Sequence, residues 1–412
     1  MARRLIYAAA LLILLGGTVY LAVFAPRPRG TPRAAAPPDL IPDSALVDVI
    51  PPDSIPSIDD PKFVEPGEAS RWLADREPVV SLELGDEARA YPAQILTWHE
   101  IVNDVVGGRP VTVTYCPLCN SAVAFSREVD GRTLEFGVSG KLYKSALVMY
   151  DRQTDSLWLH FEGRAIQGPL TGTRLDLIPV QLLSFGEWRK EHADGLVLSR
   201  NTGHFGAYGE NPYDFYDTRK GPRAEFFRGP VSPKLHPMAR VVGVGFGETA
   251  VAYPYERLAA GGKAGFVQDT VSGRRIVVLW EAGTASALDQ RRIAEGRDVG
   301  ASGVFVPVAD GRRLTFEVRG GTFLDRQTGS EWTLSGRAVA GPMAGEHLEP
   351  VPHLDTFWFA WWGHHPDTTV HGAKGSRTRP VHRIFAGRFV SPPGVFIRTH
   401  YRSDGERTNR LP

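Results

Sequence analysis

Asp151-Arg152-Gln153-Thr154, with Trp158 after it, occurs twice in this chain. The second copy is Asp325-Arg326-Gln327-Thr328, with Trp332 after it. Working outward, the recurrence widens. Downstream, Gly163-Arg164-Ala165 returns as Gly336-Arg337-Ala338, Gly168-Pro169 as Gly341-Pro342, Trp188 as Trp361 and His192 as His365. Upstream, Asp130-Gly131-Arg132 returns as Asp310-Gly311-Arg312, residues 111–115 (VTVTY) as 276–280 (IVVLW), and Ala90-Tyr91-Pro92 as Ala252-Tyr253-Pro254. The order never changes, which is the signature of a repeated structural unit. The spacing predicts two tandem lobes, residues 64–232 and 236–390, with a C-terminal tail at 391–412.

Within the first lobe the local signals are short strands joined by tight turns. Asp130-Gly131 between apolar runs at 122–129 and 132–138 predicts a hairpin. Residues 146–150 and 157–161 predict another across the DRQT turn. Pro92 suits the first turn of a helix running to Val106, with Gly107-Gly108 ending it. Ser184 and Glu187 form a capping box that opens a helix through His192. Strands followed by helices, without regular βαβ alternation, make the expected class α+β and strand-rich rather than doubly wound.

Composition agrees. The 412 residues include 44 Gly and 32 Pro, a heavy load for a helical protein. With 42% apolar and 23% charged residues, disorder, collagen and a polytopic membrane protein are excluded for the bulk of the chain. The net charge is +1 and no basic stripe stands out, which argues against a nucleic-acid partner. At the N-terminus, residues 5–25 are an uncharged apolar run behind Arg3-Arg4. As a helix the run spans roughly 32 Å, enough for a bilayer core of about 30 Å. It is expected to act as a transmembrane anchor, or as a signal cleaved after 23–25, with a single pass and an extracytoplasmic globular part. Residues 26–63 are Pro-rich and are expected to form an extended stalk.

Features kept in both lobes are expected to be structural; features of one lobe only are candidates for chemistry. The only cysteines, Cys116 and Cys119 in Cys116-Pro117-Leu118-Cys119, fall in the first lobe, opposite Glu281-Ala282-Gly283-Thr284. That lobe also carries six extra residues between Phe136 and Asp151 relative to Phe316 and Asp325. His160 stands opposite Leu334, and His99 opposite a Gly/Ala stretch. These contrasts point to one site in the first lobe, with the second as partner or brace. His192, matched by His365, is read as structural. A disulfide between Cys116 and Cys119 closes so small a loop that the chain-entropy model gives it only roughly 2 kcal/mol, so stapling is a poor reason for the pair. Dithiol redox chemistry is the preferred reading, with Cys116 as nucleophile, Cys119 as resolving thiol, and a thiol or disulfide partner protein. Because a strand, not a helix, is expected at the motif, any lowered thiol pKa needs cations such as Lys141, Lys144 or His160. The alternatives are a copper(I) site with Met149 as an extra ligand, a Cys₂His₂ zinc site completed by His99 and His160, and an interaction scaffold in which the thiols are incidental.

Four motifs carry a resemblance to a known family: Trp98-His99-Glu100-Ile101-Val102-Asn103-Asp104, Thr114-Tyr115-Cys116-Pro117-Leu118-Cys119, Ser139-Gly140-Lys141-Leu142-Tyr143, and Met149-Tyr150-Asp151-Arg152-Gln153-Thr154. With Asn211-Pro212-Tyr213 they cover most of residues 78–255. The chain resembles the bacterial and archaeal domain-of-unknown-function family 3179. The resemblance implies an exported protein. Members include selenoproteins, which implies redox work at the cysteine motif. Lys144 stands where the family more usually has asparagine.

Overall fold

The computed structural model describes residues 37–373. The apolar segment 5–25 and the tail 391–412 lie outside the described residues, as do the last residues of the expected second lobe. Among the described residues no helix is long and apolar enough to cross a membrane.

The first half of the chain builds three antiparallel or mixed sheets. One has the order Gln181–Ser184, Pro78–Leu84, Glu87–Pro92, Leu196–Leu198, Phe63–Val64; the second Leu177–Ile178, Ser121–Ser126, Arg109–Cys116, Ile101–Val106; the third Val47–Asp48, Phe136–Tyr143, Ala146–Asp151, Leu157–Leu159, Arg164–Gln167. The second half repeats these orders without counterparts to the edge strands Phe63–Val64 and Val47–Asp48. Leu354–Phe357, Arg240–Phe246, Thr249–Pro254 and Thr369–Val370 form one sheet; Ala264–Val271, Arg274–Glu281, Ala301–Val306 and Glu349–Pro350 another; Phe316–Arg319, Thr322–Asp325, Glu331–Trp332 and Ala338–Ala340 a third. Even the strand direction is matched. Leu196–Leu198 runs parallel to Glu87–Pro92, as Thr369–Val370 does to Thr249–Pro254. The fold is strand-rich, and its α-helices are short: Ala93–His99, Phe185–Glu191 and Trp358–His364 have seven residues each.

The recurrent motifs build the same local structure twice. Asp151 accepts the Thr154 N–H and hydroxyl (2.7 and 2.9 Å) and the Trp158 indole N–H (2.8 Å). Asp325 does the same with Thr328 and Trp332. One carboxylate thereby satisfies the donors of a whole turn. Gly168 and Gly341 both have left-handed φ, +91° and +87°, and a Cβ on either would sit within 2.8 Å of the backbone of Ser156 or Ser330. His192 and His365 each pack on the tryptophan one turn before them, Trp188 and Trp361.

Two expectations need correction. The helix that starts after Pro92 ends at His99, and residues 101–106 are a strand paired with Arg109–Cys116. Ile101, Val102, Val105 and Val106 are β-branched and favour a strand. Gly107 and Gly108 both have positive φ, so they close a hairpin instead of ending a helix. The expected stalk is likewise corrected over its described part, residues 37–63. Val47–Asp48 pairs with Leu142 and Lys141, and Ile58 bridges Val102. Leu46, Val47 and Ile58 are buried, so burial of these apolar residues draws the proline-rich segment onto the sheets. Gly140 permits this contact, since a Cβ there would lie 1.9 Å from the Ile50 carbonyl.

The core around the cysteines draws on both halves of the chain. Cys116, Leu118 and Cys119 pack in one cluster with Phe136, Trp158, Phe161, Tyr216 and, from the far end of the chain, Leu354, Phe357 and Trp361.

Candidate functional site

Cys116 is the last residue of its strand and pairs with Ser121, the first of the next. Residues 117–120 are therefore the loop of a hairpin. Asn120 closes it with φ +53° and donates its N–H to the Pro117 carbonyl (3.3 Å). Two further carbonyls of the loop are held from outside. Leu118 O accepts the Tyr216 hydroxyl (3.0 Å). Cys119 O accepts the Thr356 hydroxyl (2.7 Å) and the Phe357 N–H (3.1 Å). Both cysteines are free thiols and buried, 1% and 0% exposed.

Behind Cys119 runs a chain of hydrogen bonds: Cys119 Sγ to Ser121 Oγ (3.0 Å), Ser121 Oγ to His160 Nε2 (2.7 Å), and His160 Nδ1 to Thr114 Oγ1 (2.9 Å). Each link can be donated from either end, according to the His160 tautomer and the two hydroxyl rotors. Thr114 Oγ1 also reaches the Val123 carbonyl (3.2 Å). Cys119 Sγ also reaches the Cys116 carbonyl (3.7 Å). Burial lowers the His160 pKa from 6.5 to about 3, so the ring is neutral. Burial, and then the Cys116 thiol, push the Cys119 thiol well above its ordinary value, while Ser121 pulls the other way.

The six extra residues of the first half reach this site. They lengthen the hairpin Phe136–Tyr143/Ala146–Asp151, whose turn, Lys144 and Ser145, has φ of +50° and +67°. Asparagine tolerates this left-handed region better than lysine does. The turn sets the Ser145 carbonyl 3.8 Å from Cys116 Sγ. Lys144 Nζ donates to Gly363 O, at the end of the helix Trp358–His364, and Lys141 Nζ pairs with Asp48. Both lysines are thus engaged away from the thiols. His364 stacks on Phe161, ring centroids 4.2 Å apart, next to His160.

Of the four site residues expected from the sequence, Cys116, Cys119 and His160 are brought together, and His99 is not. His99 donates Nδ1–H to Pro56 O (2.7 Å) and accepts the Tyr208 hydroxyl at Nε2 (2.7 Å). Burial lowers its pKa, and both nitrogens are occupied in tying the N-terminal segment to the loop at Tyr208. No group of three or more His, Cys, Asp or Glu side chains with metal-ligand spacing is found among the described residues. Met149 is buried in its strand opposite Val138 and Trp158.

Sequence reasoning missed Ser121 and Thr114, whose hydroxyls flank His160. Their alternation with apolar residues on the two strands of the thiol hairpin was the available signal. It also missed Glu100, where burial alone raises the carboxyl pKa from 4.5 to about 8. A small crevice lined by Asn120, Arg240, Tyr255, Thr284, Val299 and Gly300 reaches the loop at Asn120.

The dithiol hairpin and the hydrogen-bonded histidine both fall within residues 52–368, which match a family described as "Protein of unknown function (DUF3179)". The chain belongs to that family. No curated protein and no solved structure matches it.

Proposed function

We propose that this protein is a membrane-anchored, extracytoplasmic dithiol protein that exchanges electrons with disulfides through Cys116 and Cys119. The observation that supports this reading best is the hydrogen-bonded chain Cys119–Ser121–His160–Thr114 behind two free thiols. It links a thiol to an imidazole through a hydroxyl, which neither core packing nor metal ligation requires. With both His160 nitrogens already bonded, copper or zinc would have to break this chain to gain an imidazole ligand. Cys116 attacks and Cys119 resolves, two electrons passing from the thiol pair to the disulfide. Access to Cys116 requires movement of the Lys144-Ser145 turn that lies over its sulfur.

The matching strand orders support a further part of the reading, that the chain is a tandem duplication whose halves share cores. One copy carries the thiols, His160 and the lengthened hairpin, and the other braces them through Thr356 and Phe357. Residues 5–25 supply the anchor, on the strength of their length and of Arg3-Arg4.

Non-reducing gels of Cys116→Ser and Cys119→Ser, beside bound-metal analysis, test the exchange reading. Cys119→Ser is expected to trap a mixed disulfide with its partner, and Cys116→Ser to trap none. If Cys119→Ser traps nothing while the parent carries stoichiometric copper or zinc, the protein is a metal carrier. If both variants behave like the parent in both assays, it is a scaffold. A reporter fused after Pro412 that is active only in the cytoplasm would refute the placement.

A further inference from the structure

The hairpin Phe136–Tyr143/Ala146–Asp151 turns through Lys144 and Ser145, between the paired residues Tyr143 and Ala146. Its counterpart in the second half turns through Gly320 and Gly321, between the paired residues Arg319 and Thr322. Both turns have left-handed φ at both positions, +50° and +67° in the first half, +64° and +93° in the second. Glycine adopts that conformation without strain, whereas a residue with a side chain is strained in it. The first half therefore keeps two side chains at a turn that the second half builds from glycine.

Both strained residues make contacts that their glycine counterparts have no use for. Ser145 is buried, and its carbonyl accepts the Cys116 S–H at 3.8 Å, so the turn covers that sulfur. Lys144 Nζ donates to Gly363 O in the last turn of the helix Trp358–His364, where carbonyls lack a partner within the helix. A Cβ on Gly363 would stand 3.6 Å from Lys144 Cβ and Cδ, so the lysine stem lies along the helix end. Tyr143, just before the turn, meets the His364 ring edge to face, centroids 5.5 Å apart. The turn of the first half is fastened in this way to a helix of the second, by the residue next to the one that covers the thiol. The Gly320-Gly321 turn belongs to a half without cysteines and has no side chain for such a bond.

We infer that the Lys144-Ser145 turn is a gate over Cys116 and that Lys144 is its latch, a role that deepens the disulfide-exchange reading and rests on it. With Lys144 on Gly363 O, the turn keeps its left-handed backbone and holds the Ser145 carbonyl against the thiol. Release of Lys144 lets both residues leave that conformation, which withdraws the carbonyl and opens the Cys116 sulfur to a disulfide. Backbone strain favours the open turn and the lysine bond favours the closed one. Their balance sets the fraction of molecules in which Cys116 can attack. Cys119 lies under different cover, with Thr356 and Phe357 on its carbonyl and Ser121 on its sulfur. The gate therefore acts on the attacking thiol and spares the resolving one.

The test uses the full-length reduced protein. Iodoacetamide labelling of each cysteine is read by mass spectrometry, beside urea denaturation and the rate of exchange with bis(2-hydroxyethyl) disulfide. Lys144→Met keeps the stem and removes the ammonium. It should speed Cys116 alkylation and exchange about tenfold, and Cys119 alkylation by about twofold at most. Ser145→Gly keeps the carbonyl and relieves the turn. It should slow Cys116 alkylation and exchange about threefold, and it carries the test should the lysine variant not fold. A merely structural lysine gives a different pattern, in which Lys144→Met speeds both cysteines alike and lowers the urea midpoint. That pattern overturns the gate, as does unchanged Cys116 alkylation in Lys144→Met or alkylation no slower than the parent's in Ser145→Gly. In each of these cases exchange by the parent leaves the exchange reading standing. If neither the parent nor Lys144→Met exchanges the disulfide although Cys116 is alkylated, the exchange reading is overturned and the gate with it.

Discussion

Thr356 donates its hydroxyl to the carbonyl of Cys119 at 2.7 Å, across 237 residues of sequence. The neighbouring Phe357 N–H reaches the same oxygen. The tip of the thiol hairpin is thereby fixed by a strand from the other half of the chain, and thiol reactivity becomes sensitive to residues far from the cysteines.

Thr356→Val keeps the shape and removes the hydroxyl. Since Phe357 still serves the carbonyl, the expected cost is about 1 kcal/mol. Chemical denaturation measures it. Alkylation of Cys119 in the native protein should speed up, because the loop opens more often.

Ser121→Ala severs Cys119 from His160. The serine bond holds the thiol pKa down, so its loss should raise that pKa further and slow alkylation of Cys119 at a given pH. His160 Nε2 loses its partner, for a stability loss of about 1–3 kcal/mol. Mass spectrometry of each alkylated cysteine, beside denaturation, checks both effects.

His160 and Glu100 give stability opposite dependences on pH. His160 has a folded pKa of about 3 against 6.5, so the unfolded chain binds the extra proton and stability is lost as pH falls from 6.5 toward 3. His364 and His365, also buried and lowered, act in the same direction. Glu100 has a folded value of about 8 against 4.5, so the folded chain holds the extra proton and stability is lost as pH rises from 4.5 to 8. Urea titrations over this range should show a weaker acid limb in His160→Leu and a flatter alkaline limb in Glu100→Gln, the latter variant being more stable than the parent at neutral pH.

Asp151→Ala and Asp325→Ala remove equivalent turn anchors and should each cost about 3 kcal/mol, since a charged acceptor is lost and an indole N–H is left unpaired. Only Asp151→Ala should accelerate alkylation of Cys116, because only that hairpin carries the Lys144-Ser145 turn. Burial opposes ionisation of Asp325, but bonds from Trp332, Thr328 and Ser330 outweigh it and hold its pKa below 3.8. Its contribution is therefore present above that pH and lost as pH falls through the lowered value.

The repeated motifs were legible because each satisfies a local rule. DRQT closes a turn on its own aspartate, and Ser184 caps its helix by accepting the Glu187 N–H. Contrasting the two halves of the sequence picked out Cys116, Cys119, His160 and the lengthened hairpin, which hydrogen bonds link directly or through Ser121. His99 misled because absence from one copy also marks a residue that anchors a segment peculiar to the other, here Pro56. The strand at 101–106 was misread because Pro92 and Gly107-Gly108 fit the two ends of a longer helix, and only the β-branched content of the interval argued otherwise. The raised pKa of Glu100 was invisible because its burial depends on tertiary packing that no local pattern reports.

The clamp on Cys119 also has a consequence for biosynthesis. The thiol hairpin has a four-residue loop and can close as soon as Ser126 is made, whereas Thr356 and the helix Trp358–His364 come much later. At roughly 5–20 residues per second, the 237 residues between Cys119 and Thr356 take about 10–50 s to synthesise. During that interval the CPLC loop lacks the Thr356 and Phe357 bonds to the Cys119 carbonyl, so Cys119 is open to ambient oxidants or metals once in each molecule, before the second half folds over it.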